Sequence, residues 1–131
     1  MIQKFLIPFL ILCCLGCGKN DLSTQSSITL KVNDCVTALE NEVRICLDSV
    51  FNDSRCAKGL QCVWEGDATA AFTLNKNKVS KSFSLHTNNG FQNDTVIDGL
   101  SIRLLNITPY PIADGTIEAS EYKAEISVSA Y

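Results

Sequence analysis

Three sets of side chains in this 131-residue sequence have the types that do chemistry: a single histidine, His86, the acidic pairs Glu40/Glu42 and Glu65/Asp67, and seven cysteines. Any Ser-His-Asp or Cys-His mechanism would have to use His86, because the nucleophile needs a base within hydrogen-bond reach. No G-x-S-x-G elbow accompanies it, and it sits beside Asn88-Asn89-Gly90, so it reads as a surface hairpin histidine. Paired carboxylates are the machinery of glycoside hydrolysis, but residues two apart on strand or turn segments look like solvated faces. The pattern points to no catalytic residue, no enzyme and no cofactor.

The cysteines divide by position. Cys14-Leu15-Gly16-Cys17 spells C-x-x-C, a thiol-disulfide exchange motif. It lies at the end of a segment with a different meaning: Met1 to Lys4 is a short positively charged start, and Phe5 to Leu15 is almost wholly apolar before Gly16 and Cys17. That is the layout of a secretory signal, and its apolar run of about eleven residues falls short of the roughly twenty needed to span a membrane. Cleavage before Cys17 would divide the C-x-x-C, so it is a decoy.

The ending Cys14-Leu15-Gly16-Cys17 resembles the bacterial lipobox, with Cys14 where the pattern usually has leucine. The resemblance implies a signal peptide over 1–16 and a palmitate-type lipid anchor on Cys17, in a lipoprotein of the cell envelope, at the outer membrane. Residues 17–27 then read as a lipidated flexible tether and 28–131 as a single domain. Gly18-Lys19-Asn20-Asp21 is similar to the surface-export signal of Bacteroidetes lipoproteins, although a plain polar tether is the favoured reading.

The remaining cysteines, Cys35, Cys46, Cys56 and Cys62, are an even set for an oxidising compartment, so two disulfides are expected. Of three connectivities, Cys35 with Cys46 and Cys56 with Cys62 is favoured, since each pair brackets a segment that can turn back. A four-cysteine zinc site is the competing reading, but its usual C-x2-4-C knuckles are absent. No metal is expected. The part from Cys17 onward has fourteen acidic and ten basic residues, with no basic block, so nucleic acid is not an expected partner.

The most distinctive passage runs from Asp53-Ser54-Arg55-Cys56 to Cys62-Val63-Trp64-Glu65-Gly66-Asp67-Ala68. It resembles a DSRCP-x4-C-x-W-x-G-x-A motif of uncharacterised bacterial secreted and lipid-anchored proteins, with Ala57 in place of the proline. The resemblance covers most of Ile28 to Tyr131 and implies no established activity. Physically, a small disulfide loop would pin a turn, Gly66 would permit a bend, and Asp53 and Arg55 would bond the loop or each other. Trp64 is expected to lie over the disulfide or in the core. The functional alternative makes Arg55, Trp64, Glu65 and Asp67 a recognition patch. A second candidate surface is the long loop within Ile107 to Glu121, with Pro109, Tyr110 and Pro111.

Apolar residues recur at period two, the pattern of strands with one buried face. The runs are Ile28-Leu30-Val32, Val43-Ile45-Leu47, Ala68-Ala70-Phe72-Leu74, Val79-Lys81-Phe83-Leu85, Ile102-Leu104 within Leu100 to Ile107, and Tyr122-Ala124-Ile126-Val128-Ala130. Between them stand turn signals at Asn75 to Asn77, Asn88-Asn89-Gly90, Asp98-Gly99 and Asp114-Gly115, with a further turn expected over Thr37 to Glu42. The expected fold is all-β: a disulfide-stapled antiparallel sandwich of six or seven strands, Ig-like or similar, with a small closed barrel as the alternative. Asp48-Ser49-Val50 and Asp94-Thr95-Val96 resemble Bacteroidetes O-glycosylation sites, a short pattern that arises easily by chance.

These features favour a non-enzymatic binding or structural module of the envelope whose partner is a protein or a glycan. Inhibition of a lysozyme or protease is the alternative from another class, and an unrecognised hydrolase is the third.

Overall fold

The computed structural model describes residues 26–38 and 42–131. The expected signal peptide, Cys17, most of the tether, and Glu40 with the centre of the Thr37 to Glu42 turn lie outside the described residues.

Two four-stranded antiparallel sheets pack face to face without closing, which makes the domain a β-sandwich rather than a barrel. The strands are β1 (Ser26–Lys31), β2 (Cys35–Ala38), β3 (Val43–Phe51), β4 (Thr69–Lys76), β5 (Val79–His86), β6 (Asp94–Ile97), β7 (Leu100–Thr108) and β8 (Lys123–Ala130). One sheet has the order β1-β8-β7-β6 and the other β2-β3-β4-β5. Period-two alternation aims one apolar row from each strand between the sheets: Val43, Ile45 and Leu47 from β3, Ala70, Phe72 and Leu74 from β4, Leu100, Ile102 and Leu104 from β7, and Ala124, Ile126 and Val128 from β8 are all buried. The central strands β3, β4, β7 and β8 supply most of this core; Leu30 of β1, Leu85 of β5 and the flanking Ala68 and Tyr122 supply the rest.

Two expected features shift. Strand β1 begins two residues before Ile28, because Ser26 and Ser27 pair with Val128 and Ser127. Their exposed hydroxyl side chains leave no apolar mark of this pairing. In β5 the alternation holds at Phe83 and Leu85 but fails at Val79, which is exposed with Lys81. That end of β5 is a sheet edge, and Lys81 bonds Asp98 Oδ1 at 2.7 Å across the gap to the other sheet. Strands β2 and β6, four residues each, bring the total to eight where six or seven were expected.

Both disulfides join the favoured partners, Cys35 to Cys46 and Cys56 to Cys62. The first links directly opposed residues of β2 and β3. The second closes a loop of the β3–β4 connection. In the chain-entropy account, loops of these sizes stabilise by about 2.5 kcal/mol each.

The ends of the sandwich differ. At one end lie the β4–β5 turn, with Asn77 and Lys78 both at positive φ, and the β6–β7 turn at Asp98-Gly99, also at positive φ. These are the conformations that tight hairpins require. Ser26 pairs with Val128, and Val128 with Ile102, so β1 starts at this same end. At the opposite end are three longer connections: 52–68 between β3 and β4, 87–93 between β5 and β6, and 109–122 between β7 and β8.

Candidate functional site

Two of the three long connections, 52–68 and 109–122, are tied together by one guanidinium. Asp53, two residues past β3, accepts from Arg55 Nε at 2.8 Å on Oδ1 and from Arg55 NH2 at 2.8 Å on Oδ2. The same Oδ2 accepts from the Tyr122 hydroxyl at 2.9 Å. Arg55 reaches further: NH2 donates to Pro109 O at 3.0 Å, and NH1 donates to Ile107 O. Its guanidinium carbon lies 4.6 Å from the centroid of the Tyr110 ring. One planar fork therefore satisfies the carboxylate and two carbonyls around the cis peptide Thr108–Pro109, a geometry that a lysine could not reproduce.

Arg55 is 8% exposed, the one buried cation among the described residues. Burial works against ionisation of Asp53, but hydrogen bonds from Arg55 and Tyr122 and the charge of Arg55 outweigh it and hold the carboxyl below its usual range. The Tyr122 phenol is pushed up to about 12, by burial first and then by its bond to Asp53.

Glycine is required once in this region. Gly66 has φ 72°, and a Cβ there would stand 2.1 Å from Ser54 O. The connection crosses over itself at this point: Ser54 N donates to Asp67 O at 2.7 Å, and Asp67 N donates to Ser54 Oγ at 3.0 Å. Lys58 N donates to Pro111 O at 3.0 Å, stitching the disulfide loop to the 109–122 connection.

Asp67 then fixes the third connection. It accepts from Asn88 N at 3.0 Å and from Thr87 Oγ1 at 3.3 Å, and its Oδ2 lies 2.6 Å from His86 Nδ1. Burial pushes the Asp67 carboxyl up, while the bond from His86, the Asn88 N–H and the Thr87 hydroxyl together hold it below its usual range. Asn88 Nδ2 adds a bond to Gly66 O at 2.9 Å.

The candidate residues thus separate into two groups. Arg55 and Asp67 are structural ties with committed side chains. Trp64 is 67% exposed, so the expectation that it enters the core does not hold. Residues 60–65, between the Ser54/Asp67 crossing and the Cys56–Cys62 bridge, are all exposed. Glu65, Pro109 and Tyr110 are exposed and Pro111 is half-buried. His86 is not a free hairpin histidine: it is half-buried against Asp67, with Thr69 Oγ1 at 3.3 Å and the Phe91 ring at 5.2 Å. Thr69 is itself buried.

Sequence patterning did not single out Leu60, Val63, Phe91 and Ile112, all exposed on the same three connections, Val63 at 96%. Their signal was available: isolated large apolar residues within Gly- and Asn-rich connections have no strand periodicity to bury them. Between the connections lies a shallow concavity lined by Arg55, Cys56, Glu65, Gly66, Thr87, Asn88 and Tyr110. Among the described residues no group of three metal-ligating side chains gathers. No protein-family model matches the chain. No curated protein and no solved structure matches it either.

Proposed function

We propose that this chain is a lipid-anchored, extracytoplasmic binding module of the bacterial envelope, related to proteins that share the Asp53 to Ala68 motif. It acts without catalysis and presents its 52–68, 87–93 and 109–122 connections to a partner. The observation that carries this reading is polarity: the chain enters β1 at the end with the tight turns, and the long connections with exposed Trp64, Val63, Tyr110 and Phe91 stand at the other. Strand β1 spans roughly 20 Å at about 3.3 Å per residue, so a lipid on Cys17 would leave the long connections directed away from the membrane. Exposed aromatic and aliphatic residues gathered on rigidly tied loops are the composition of a recognition surface. The two disulfides agree with an oxidising compartment.

Two substitutions test this in cells. Cys17→Ser is expected to move the protein from the membrane fraction to the soluble fraction; retention in membranes overturns the anchor. A photo-crosslinking amino acid at position 64 is expected to give a discrete adduct that the same amino acid at position 78, at the other end, does not. Identical adducts from both positions, or none from either, overturn the assignment of the recognition end.

A further inference from the structure

Charge is divided unevenly over the domain. Residues 26–131 include thirteen acidic and nine basic side chains; the three long connections contain six acidic and two basic, and everything else seven of each. The net charge of the whole domain is therefore located at one end. Within that end, Asp53 is paired with Arg55 and Asp67 is bonded to His86. Glu65, Asp114, Glu118 and Glu121 remain, all exposed, against Lys58.

The concavity beside Tyr110 has an equally lopsided supply of free groups. Thr87 Oγ1 accepts from Ala68 N and donates to Asp67, the Asn88 amide is held by Gly66 O and Gly90 N, and Arg55 is spent on Asp53, Ile107 and Pro109. The side-chain donors and acceptors of Thr87 and Asn88 are thus engaged within the fold. The Glu65 carboxylate, which has no hydrogen bond or ion pair among the described residues, lines the concavity with Tyr110, whose ring has the Lys58 ammonium 6.0 Å from its centroid.

We infer that this end docks the cationic surface of a protein, with an arginine or lysine side chain of the partner entering the concavity to meet Glu65. Leu60, Val63, Trp64 and Phe91, exposed on the same connections, supply apolar contact area for that partner. Complementary charge steers the encounter, and exclusion of water strengthens the contact. This inference rests on the binding-module reading and specifies the partner's chemistry.

The chain has one tryptophan, Trp64, adjacent to Glu65, so its fluorescence reports on the site directly. The full-length protein in neutral detergent is titrated with a deca-arginine peptide, a deca-glutamate peptide and chitohexaose. The expected result is a saturable change in Trp64 emission with deca-arginine alone, with affinity falling at least about tenfold between 50 and 500 mM salt. Glu65→Gln, which breaks no bond of the fold, is expected to weaken it by about fivefold to tenfold, and Glu42→Gln at the other end to leave it unchanged. Saturation by chitohexaose or deca-glutamate in place of deca-arginine overturns the cationic partner and leaves the binding module standing. A Trp64 signal indifferent to all three probes overturns both.

Discussion

The two ends of the sandwich solve the same problem, returning a strand into its sheet, by opposite means. At the end where β1 begins, the β4–β5 and β6–β7 turns are two residues long, and left-handed conformations at Asn77, Lys78, Asp98 and Gly99 suffice. Each turn is decided by its own backbone. At the other end the connections are too long for local geometry to hold them, and they are fixed by side chains that reach between them: Arg55 to Ile107 and Pro109, Tyr122 to Asp53, and Asp67 to Asn88. The comparison teaches that exposure of the 60–65 tip depends on burial of the tie beneath it. A polar group that would have served recognition on a flexible loop is spent here on rigidity, and rigidity lowers the ordering cost of binding.

The sharpest way to break the comparison is to remove the tie. Arg55→Ala leaves Asp53 and two carbonyls without their partner in a largely buried site, and is expected to destabilise the fold by about 3–5 kcal/mol in denaturant unfolding. Arg55→Lys should recover little of this, since a point charge cannot serve three acceptors in one plane. A loss below about 1 kcal/mol for Arg55→Ala would mean that the long connections are held by their disulfide and backbone bonds instead.

An intermediate effect is expected from pH. Asp53 and Asp67 are both held below their usual range, so the stability they contribute is complete above the unfolded-state value near 3.9 and is lost as pH falls through their folded-state values. Tyr122 works in the other direction: its phenol rises from about 10 in the unfolded chain to about 12, so the folded state holds the proton longer and stability falls as pH rises between those values. Thermal unfolding followed across pH should therefore decline on both flanks, and Tyr122→Phe should flatten the alkaline one. An unchanged alkaline decline in that variant would remove Tyr122 from the tie.

The smallest effect belongs to the end with the two-residue turns. Lys78 occupies the left-handed region at φ 64°, and Lys78→Gly is expected to stabilise by up to about 1 kcal/mol, read from the unfolding midpoint. If it instead destabilised as much as a change in the long connections, the distinction between locally and globally determined ends would fail.

Much of this molecule was legible in the chain because strand periodicity and turn chemistry are local. The alternation in Val43 to Leu47 and in Tyr122 to Ala130, with Asp98-Gly99 marking a hairpin, is written in the chain itself. The cysteine spacings favoured the pairing that is present. Strands β2 and β6 escaped because four residues at a sheet edge bury too little to leave a pattern. Trp64 was misjudged and Arg55 only half understood for a related reason: which polar group turns inward depends on partners more than fifty residues away, as Arg55 with Ile107 and Tyr122 with Asp53.

The sequence by itself therefore determined the β class, the alternation that builds the core, the hairpin turns and the disulfide framework, because each is written in neighbours along the chain. Only the tertiary structure decided that Arg55 and Asp67 are ties, that Trp64 and Glu65 face outward, and that the domain's net negative charge collects at one end. Those outcomes depend on competition among distant groups for burial and hydrogen bonds, and a linear pattern does not record who wins it.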